Sequence, residues 1–236
     1  DSIEKLKNMT NFEAGQIWMS EKKYEKALSC FNTALENDDI NSETIHQKGL
    51  ALFNLQKYDD AIICFNIALE KFGIDADILH NKGLALQNLE KYSEALVCFQ
   101  TALSMNSDHE TTEALVDCYI SLDDHKNALI YLNDLLKSEF KNERHIWAKL
   151  TILDNLGKDL ELENYIDEVL KEFPRYTFAH HKRGWKLFQK KKYSEAINHF
   201  DKAILTSQYF HLSQFVKAQC LEKLKKYDEA LFLYDN

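Results

Sequence analysis

GLALFNLQKYDDAIICFNIALE at 49–70 returns as GLALQNLEKYSEALVCFQTALS at 83–104, 34 residues further on. Self-similarity at such a fixed period marks a stack of helical hairpins, because each unit is too small to bury its own apolar face and must lean on its neighbours. The second half of each copy places apolar residues at i, i+1, i+4, i+7 and i+8, as in Ala61, Ile62, Phe65, Ala68 and Leu69, which is one apolar stripe on a helix. The first half carries Ile45, Gly49 and Leu52 on its own stripe. Gly49 has no side chain to hold two backbones apart, and the small Ala61 and Ala68 permit the same approach from the other side. NLQK at 54–57 and NLEK at 88–91 close the first helix, with Asn54 and Asn88 expected in the left-handed cap conformation and the Lys at the negative end of the helix dipole. The pattern predicts an all-α solenoid of antiparallel helix pairs.

The first Ala of each second helix serves as a ruler: Ala27, Ala61, Ala95, Ala128, then Leu162 in its place, Ala196 and Ala230, in steps of 34 except for one of 33. This gives a single elongated domain, 1–236, of about seven units at 8–41, 42–75, 76–108, 109–142, 143–176, 177–210 and an incomplete 211–236. One Pro and six Gly in 236 residues leave few breaks, and 45 % hydrophobic content suffices for a continuous seam. No apolar run approaches the roughly 18 to 20 residues a membrane span needs. Cys30, Cys64 and Cys98 fall at one point of successive repeats, too far apart for the roughly 7 Å that a disulfide tolerates between Cα atoms. Reduced thiols and a cytoplasmic location are the expectation.

Gly, then Tyr, then Ala-x-x-x-Phe-x-x-Ala at these offsets resembles the tetratricopeptide repeat. The match is strong in the first unit (Gly15, Trp18, Tyr24, Ala27, Phe31, Ala34), the second, the third, and the sixth (Gly184, Leu187, Tyr193, Ala196, Phe200, Ala203). Units four and five depart from it, with Val116 and Leu150 in place of Gly, Leu132 and Ile166 in place of Phe, and Leu162 in place of Ala; the larger residues are expected to push the helices apart locally. Pro174 stands where the family places its closing Pro. The resemblance implies a right-handed superhelix whose concave groove, lined by the first helix of every unit, holds a peptide. Carried over position by position, the groove residues are His46, Asn54, His80 and Asn88 with Asn81 beside them, an acidic patch of Glu110, Glu113 and Asp117, and the set Trp147, Thr151, Phe178, His181, Trp185, Phe188 and Phe215. Side-chain amides can bond an extended peptide's main chain without reading its sequence, and aromatic patches on a groove commonly mark binding sites. One subclass of the family clamps the carboxylate tails of chaperones with Lys, Asn and Arg; the comparable places here hold Phe12, Gln16, Gln47, Asp77 and Asn81, so the resemblance does not extend to that clamp.

The chain has no phosphate-binding Gly-rich loop, no dinucleotide fingerprint, no His-Glu-x-x-His and no Gly-x-Ser-x-Gly, so no enzyme, cofactor or metal is expected. His180 and His181 are adjacent, and their rings point about 100° apart on a helix, unsuited to one ion. Residues 177–236 carry 11 Lys/Arg against 6 Asp/Glu, while 1–176 carry 18 against 32. An overall charge of −9 argues against nucleic acid as the partner. The sequence therefore reads as a protein-interaction scaffold. Two alternatives stay open: a regulatory or substrate-recruiting region of a larger enzyme, and self-association through an uncapped C-terminal end, since Asn236 falls inside the second helix of the seventh unit.

Overall fold

The computed structural model describes residues 9–37, 41–138, 142–204 and 210–234. Among them run fourteen α-helices and no strand. In pairs they are α1 (Asn11–Ser20) with α2 (Tyr24–Glu36), α3 (Ser42–Asn54) with α4 (Tyr58–Phe72), α5 (Ala76–Asn88) with α6 (Tyr92–Met105), and α7 (His109–Ser121) with α8 (His125–Ser138). There follow α9 (Glu143–Asn155) with α10 (Asp159–Glu172), α11 (Thr177–Gln189) with α12 (Tyr193–Ile204), and α13 (Phe210–Lys223) with α14 (Tyr227–Tyr234). The chain divides into two compact units, Asp1–Leu135 and Leu136–Asn236. In the first, the helices from α1 to α7 each pack on the next, and the first helices of successive pairs also touch: α1 on α3, α3 on α5, α5 on α7. The second unit repeats this from α9 to α14, with α9 on α11 and α11 on α13.

Every pair turns in the same way. After the first helix one residue takes the left-handed conformation: Lys22, Gln56, Glu90, Asp123, Gly157, Lys191 and Lys225, with φ between 56° and 62°. That residue's N–H and the next one's reach back to the helix end, as in Gln56 N–H to Phe53 O and Lys57 N–H to Leu52 O, both 2.9 Å. Two otherwise orphaned carbonyls are satisfied, and the following residue already opens the second helix. This corrects the expectation for Asn54 and Asn88. Both stay helical and the left-handed step falls two residues later, because the paired back-bonds require it outside the last turn. The first five first helices carry side-chain caps, Thr10 in a reciprocal capping box with Glu13, then Asn41, Asp75, Asp108 and Asn142, whereas α11 starts at Tyr176 without one. The second helices leave the hairpin directly, and Lys23, Lys57, Lys91 and Lys158 start them without a side-chain cap.

Four pairs are held by a Gly set against a Phe. A Cβ on Gly15, Gly49, Gly83 or Gly184 would lie 2.4 to 2.8 Å from a ring carbon of Phe31, Phe65, Phe99 or Phe200, closer than carbon atoms can approach. Those four rings are fully buried, so they have no room to retreat. In the fourth and fifth pairs both the glycine and the ring are absent. Val116 and Leu132 are buried in the fourth pair, Leu150 and Ile166 in the fifth, so aliphatic chains of intermediate size share the volume. The backbones of α9 and α10 come within 8 Å of each other over a shorter stretch than those of α3 and α4 or α5 and α6, as expected when a Leu stands where a Gly would.

Candidate functional site

In the first unit, α3, α5 and α7 and the end of α6 line a groove of about 480 Å³. His46, Asp77, His80, Asn81, Leu84, Asn106, Asp108, Glu110 and Thr111 form most of its wall. The N-caps of successive helices build its polar part. Thr111 donates both its N–H and its hydroxyl to Asp108 Oδ2, at 2.8 and 2.7 Å, which caps α7. The hydroxyl proton is thereby committed, so the 2.7 Å contact from His80 Nδ1 must be a donation from the ring to Thr111 Oγ1. The Thr111 hydroxyl, together with backbone N–H donors, holds the Asp108 carboxyl below the usual carboxylate range.

Asn81 uses one amide hydrogen on Asp77 O at 2.8 Å and lies 3.1 Å from His46 Nε2, which accepts the other. With both N–H groups committed, Asn81 has only its carbonyl oxygen to offer a ligand. Burial lowers the His46 pKa, consistent with a neutral ring accepting at Nε2. Asn54 and Asn88 each donate 2.8 Å back to Leu50 O and Leu84 O, and both stand at the C-terminal ends of their helices, outside the groove wall. Of the acidic trio, Glu110 lines the groove; Glu113 and Asp117 lie half-buried further along α7.

His46 and His80 also pack on the ring that locks their own hairpin, Phe65 at 5.8 Å and Phe99 at 5.9 Å. His181 does the same in the second unit, 6.0 Å from Phe200, and its Nδ1 meets Ser213 Oγ at 2.8 Å. The recurrent histidine thus links its own pair to the first helix of the next.

The second unit spends its polar groups differently. Lys182 and Lys186 converge on Asp154 at 2.6 and 3.2 Å, and Lys186 continues to Asp159 at 2.7 Å. Arg183 pairs with Asp167, and Lys190 with Glu163 at 2.6 Å. Burial alone would raise the Asp154 pKa, but the two lysines hold it below the usual range. Much of the basic charge read from 177–236 is therefore neutralised between α11 and the pair before it.

The aromatic residues fall into separate groups. Trp147 remains 43 % exposed and lies 5.9 Å from the buried Phe178, which stacks on the buried His181 at 6.4 Å. Trp185 stacks on Phe188 at 5.7 Å, and both lean on the core formed by Ala196, Phe200, Val216 and Cys220. Phe215 is 51 % exposed beside Tyr234. Thr151 is half-buried and returns its hydroxyl to Trp147 O at 2.9 Å. His180 gives its Nε2–H to Pro174 O, so its Nδ1 accepts from His199 Nδ1–H at 3.0 Å. Burial pushes His181 and His199 down to about 4. Among the described residues no cluster of three or more His, Cys, Asp or Glu is arranged to hold a metal ion, and no helix is long and apolar enough to cross a membrane.

The sequence template named positions within first helices. It missed Asn106, Asp108 and Thr111, which belong to the loop and cap between repeats. The Asp108-x-x-Thr111 spacing, repeated as Asn41-x-x-Thr44, was their visible signal.

The tetratricopeptide-repeat family profile matches residues 42–70 and 76–109, two of the four pairs with a Gly–Phe lock. The chain is a tetratricopeptide-repeat protein. No curated protein matches its sequence. Solved structures share the fold: a tetratricopeptide repeat protein from Parabacteroides merdae aligns at TM-score 0.62 and 18 % identity over 95 % of this chain and 90 % of that one. The C-terminal part of a TPR repeat-containing protein from Cytophaga hutchinsonii aligns at TM-score 0.78 and 12 % identity, over 95 % and 93 %. YrrB, described as a TPR protein with an unusual peptide-binding site, aligns at TM-score 0.64 and 21 % identity over 83 % of this chain and 97 % of its own.

Proposed function

We propose that this tetratricopeptide-repeat protein is a protein-interaction scaffold that acts by recognition rather than catalysis. Its first unit holds a peptide segment of a partner protein in the groove of α3, α5 and α7. The observation that supports this reading is the groove itself: an open trough whose side chains are pre-set by bonds to caps and neighbouring repeats, so that little side-chain entropy is lost on binding. Asn81 would accept from a peptide N–H, Asp77 and Glu110 would receive cationic or N–H groups, and Leu84 supplies an apolar floor. His46 and His80 shape the wall. Asn54, Asn88, Glu113 and Asp117 extend the polar surface, and in the second unit the exposed Trp147, beside Thr151 and the buried Phe178 and His181, and the exposed Phe215 offer two separate aromatic contacts, with Trp185 and Phe188 packed on the core. YrrB, similar in fold, has a peptide-binding site by its description, which is in keeping with this reading.

The test is selection of 12-residue peptides from a random displayed library on the whole chain, followed by titration against Asn81→Ala, Glu110→Ala and Trp147→Ala, Phe215→Ala double variants. Loss of at least tenfold affinity in the first double variant supports the groove. Selected peptides that bind both variants as tightly as the parent would overturn it. A second reading, self-association, is favoured by Tyr227, Leu231 and Phe232 on α14, each more than half exposed; it requires a solution mass that rises with concentration.

A further inference from the structure

Ile63, Val97 and Ile130 occupy one position in three successive second helices, α4, α6 and α8, two residues after Ala61, Ala95 and Ala128. They are 55 %, 62 % and 58 % exposed. Single exposed aliphatic residues are ordinary, but three in phase on consecutive repeats make a stripe. The same position is Ser29 in α2, Asn164 in α10, Asn198 in α12 and the exposed Phe232 in α14; three polar residues among seven mean that the fold itself does not call for an apolar one there. Nor does the helix, since β-branched side chains lose rotamer freedom in one and gain nothing when left in water. Ile67, one turn after Ile63 and 37 % exposed, widens the stripe.

The surroundings are acidic. Asp60 and Glu94 are exposed three residues before Ile63 and Val97, next to them on the helix surface. Lys91 lies 3.7 Å from Asp59, and Lys126 is exposed four residues before Ile130, so the acidic flank is that of α4 and α6. Residues 1–135 as a whole hold 23 Asp/Glu against 11 Lys/Arg, a net of −12. We infer that this stripe is a second docking surface, separate from the groove, and that its occupant is a cationic amphipathic helix of a partner protein. A helix advances about 10 Å in seven residues, the scale on which packed helices repeat. Apolar residues at i, i+7 and i+14, with i+4 to meet Ile67, would follow the stripe while Lys or Arg on the flanks faced Asp60 and Glu94.

The probe is a labelled 18-residue Leu/Lys peptide with Leu at those positions, compared with its Leu/Glu counterpart, in fluorescence titrations of the whole chain. The variant is Ile63→Asn, Val97→Asn, Ile130→Asn, which leaves the net charge unchanged and copies the residue found in α10 and α12. The Leu/Lys peptide should bind the parent at least tenfold more tightly than the triple variant, and the Leu/Glu peptide should bind neither. Equal binding by parent and variant, or equal binding of the two peptides, overturns the inference. So does a dimer of the parent that the triple variant abolishes, because the occupant is then a second copy. Should the variant lose its helical circular dichroism, amide hydrogen exchange on the parent decides: the peptide must slow exchange in 58–72 and 92–105, and unchanged exchange there overturns the proposal. Because the groove lies on α3, α5 and α7, failure of one surface leaves the other standing.

Discussion

The two units build the same hairpins and commit their charges in opposite ways. In the second, Asp154, Asp159 and Glu163 face Lys182, Lys186 and Lys190 across adjacent pairs, and Lys186 is buried within that network. In the first, besides an exposed Lys91–Asp59 pair at 3.7 Å, adjacent pairs are joined by neutral bonds, His80 to Thr111 and Asn81 to His46, and Asp77 and Glu110 line an open groove. A repeat can join its neighbours with ion pairs, or do so with neutral groups and keep its carboxylates for a partner. That difference gives the charges of the second unit a structural role and, under the function proposed above, leaves Asp77 and Glu110 for recognition.

The comparison breaks most visibly at Asp154. Asp154→Ala would leave two partly buried lysines short of a partner and should cost about 3 kcal/mol, read from urea denaturation. Glu110→Ala in the groove should change stability by less than about 0.5 kcal/mol. Similar losses at both sites would erase the distinction.

Acid should act next, and mainly on the second unit. A histidine whose folded pKa lies below its unfolded value of about 6.5 contributes stability that is complete above pH 6.5 and lost as pH falls toward the folded value. His181 and His199 sit at about 4, so denaturation midpoints should fall between pH 6.5 and 4. The cost at pH 4.5 for the buried His181 alone is on the order of 2 kcal/mol. His199→Asn should flatten the slope; a midpoint unchanged from pH 7 to 4.5 would contradict the buried neutral rings.

Smaller effects sharpen the contrast between hairpins. Gly83→Ala gains up to about 1 kcal/mol of helix propensity, yet its methyl would strike Phe99, so a net loss of about 2 kcal/mol is expected in thermal unfolding. Gly157→Ala meets nothing within 4 Å and should lose only about 1 kcal/mol, the cost of a side chain at positive φ. If the two losses came out reversed, the Gly–Phe contact would not be what sets the spacing of these helices.

The period of 34 and the alternation of stripes made the hairpins legible, because helix packing repeats wherever Gly, Ala and Phe repeat. The turn was less legible. Six of the seven left-handed positions are Lys, Gln, Glu or Asp rather than Gly, so composition gave no sign that they and not Asn54 or Asn88 carry the step. The groove was visible only in part. His46 and His80 were marked by recurrence, with Asn81 beside them, whereas Asp108 and Thr111 showed only a local cap spacing, and the Thr111–His80 bond that brings them into the groove spans about one repeat. Trp147 and Trp185 were both read as groove residues, at different positions of their repeats, but Trp185 leans on the core while Trp147 is 43 % exposed.

The most direct measurement is amide hydrogen exchange on the whole chain with and without a peptide selected from the random library. Slowed exchange across 42–54, 76–88 and 109–121, with 159–172 unchanged, is the predicted result. Protection that avoids those first helices altogether would contradict the assignment of the groove as the recognition site.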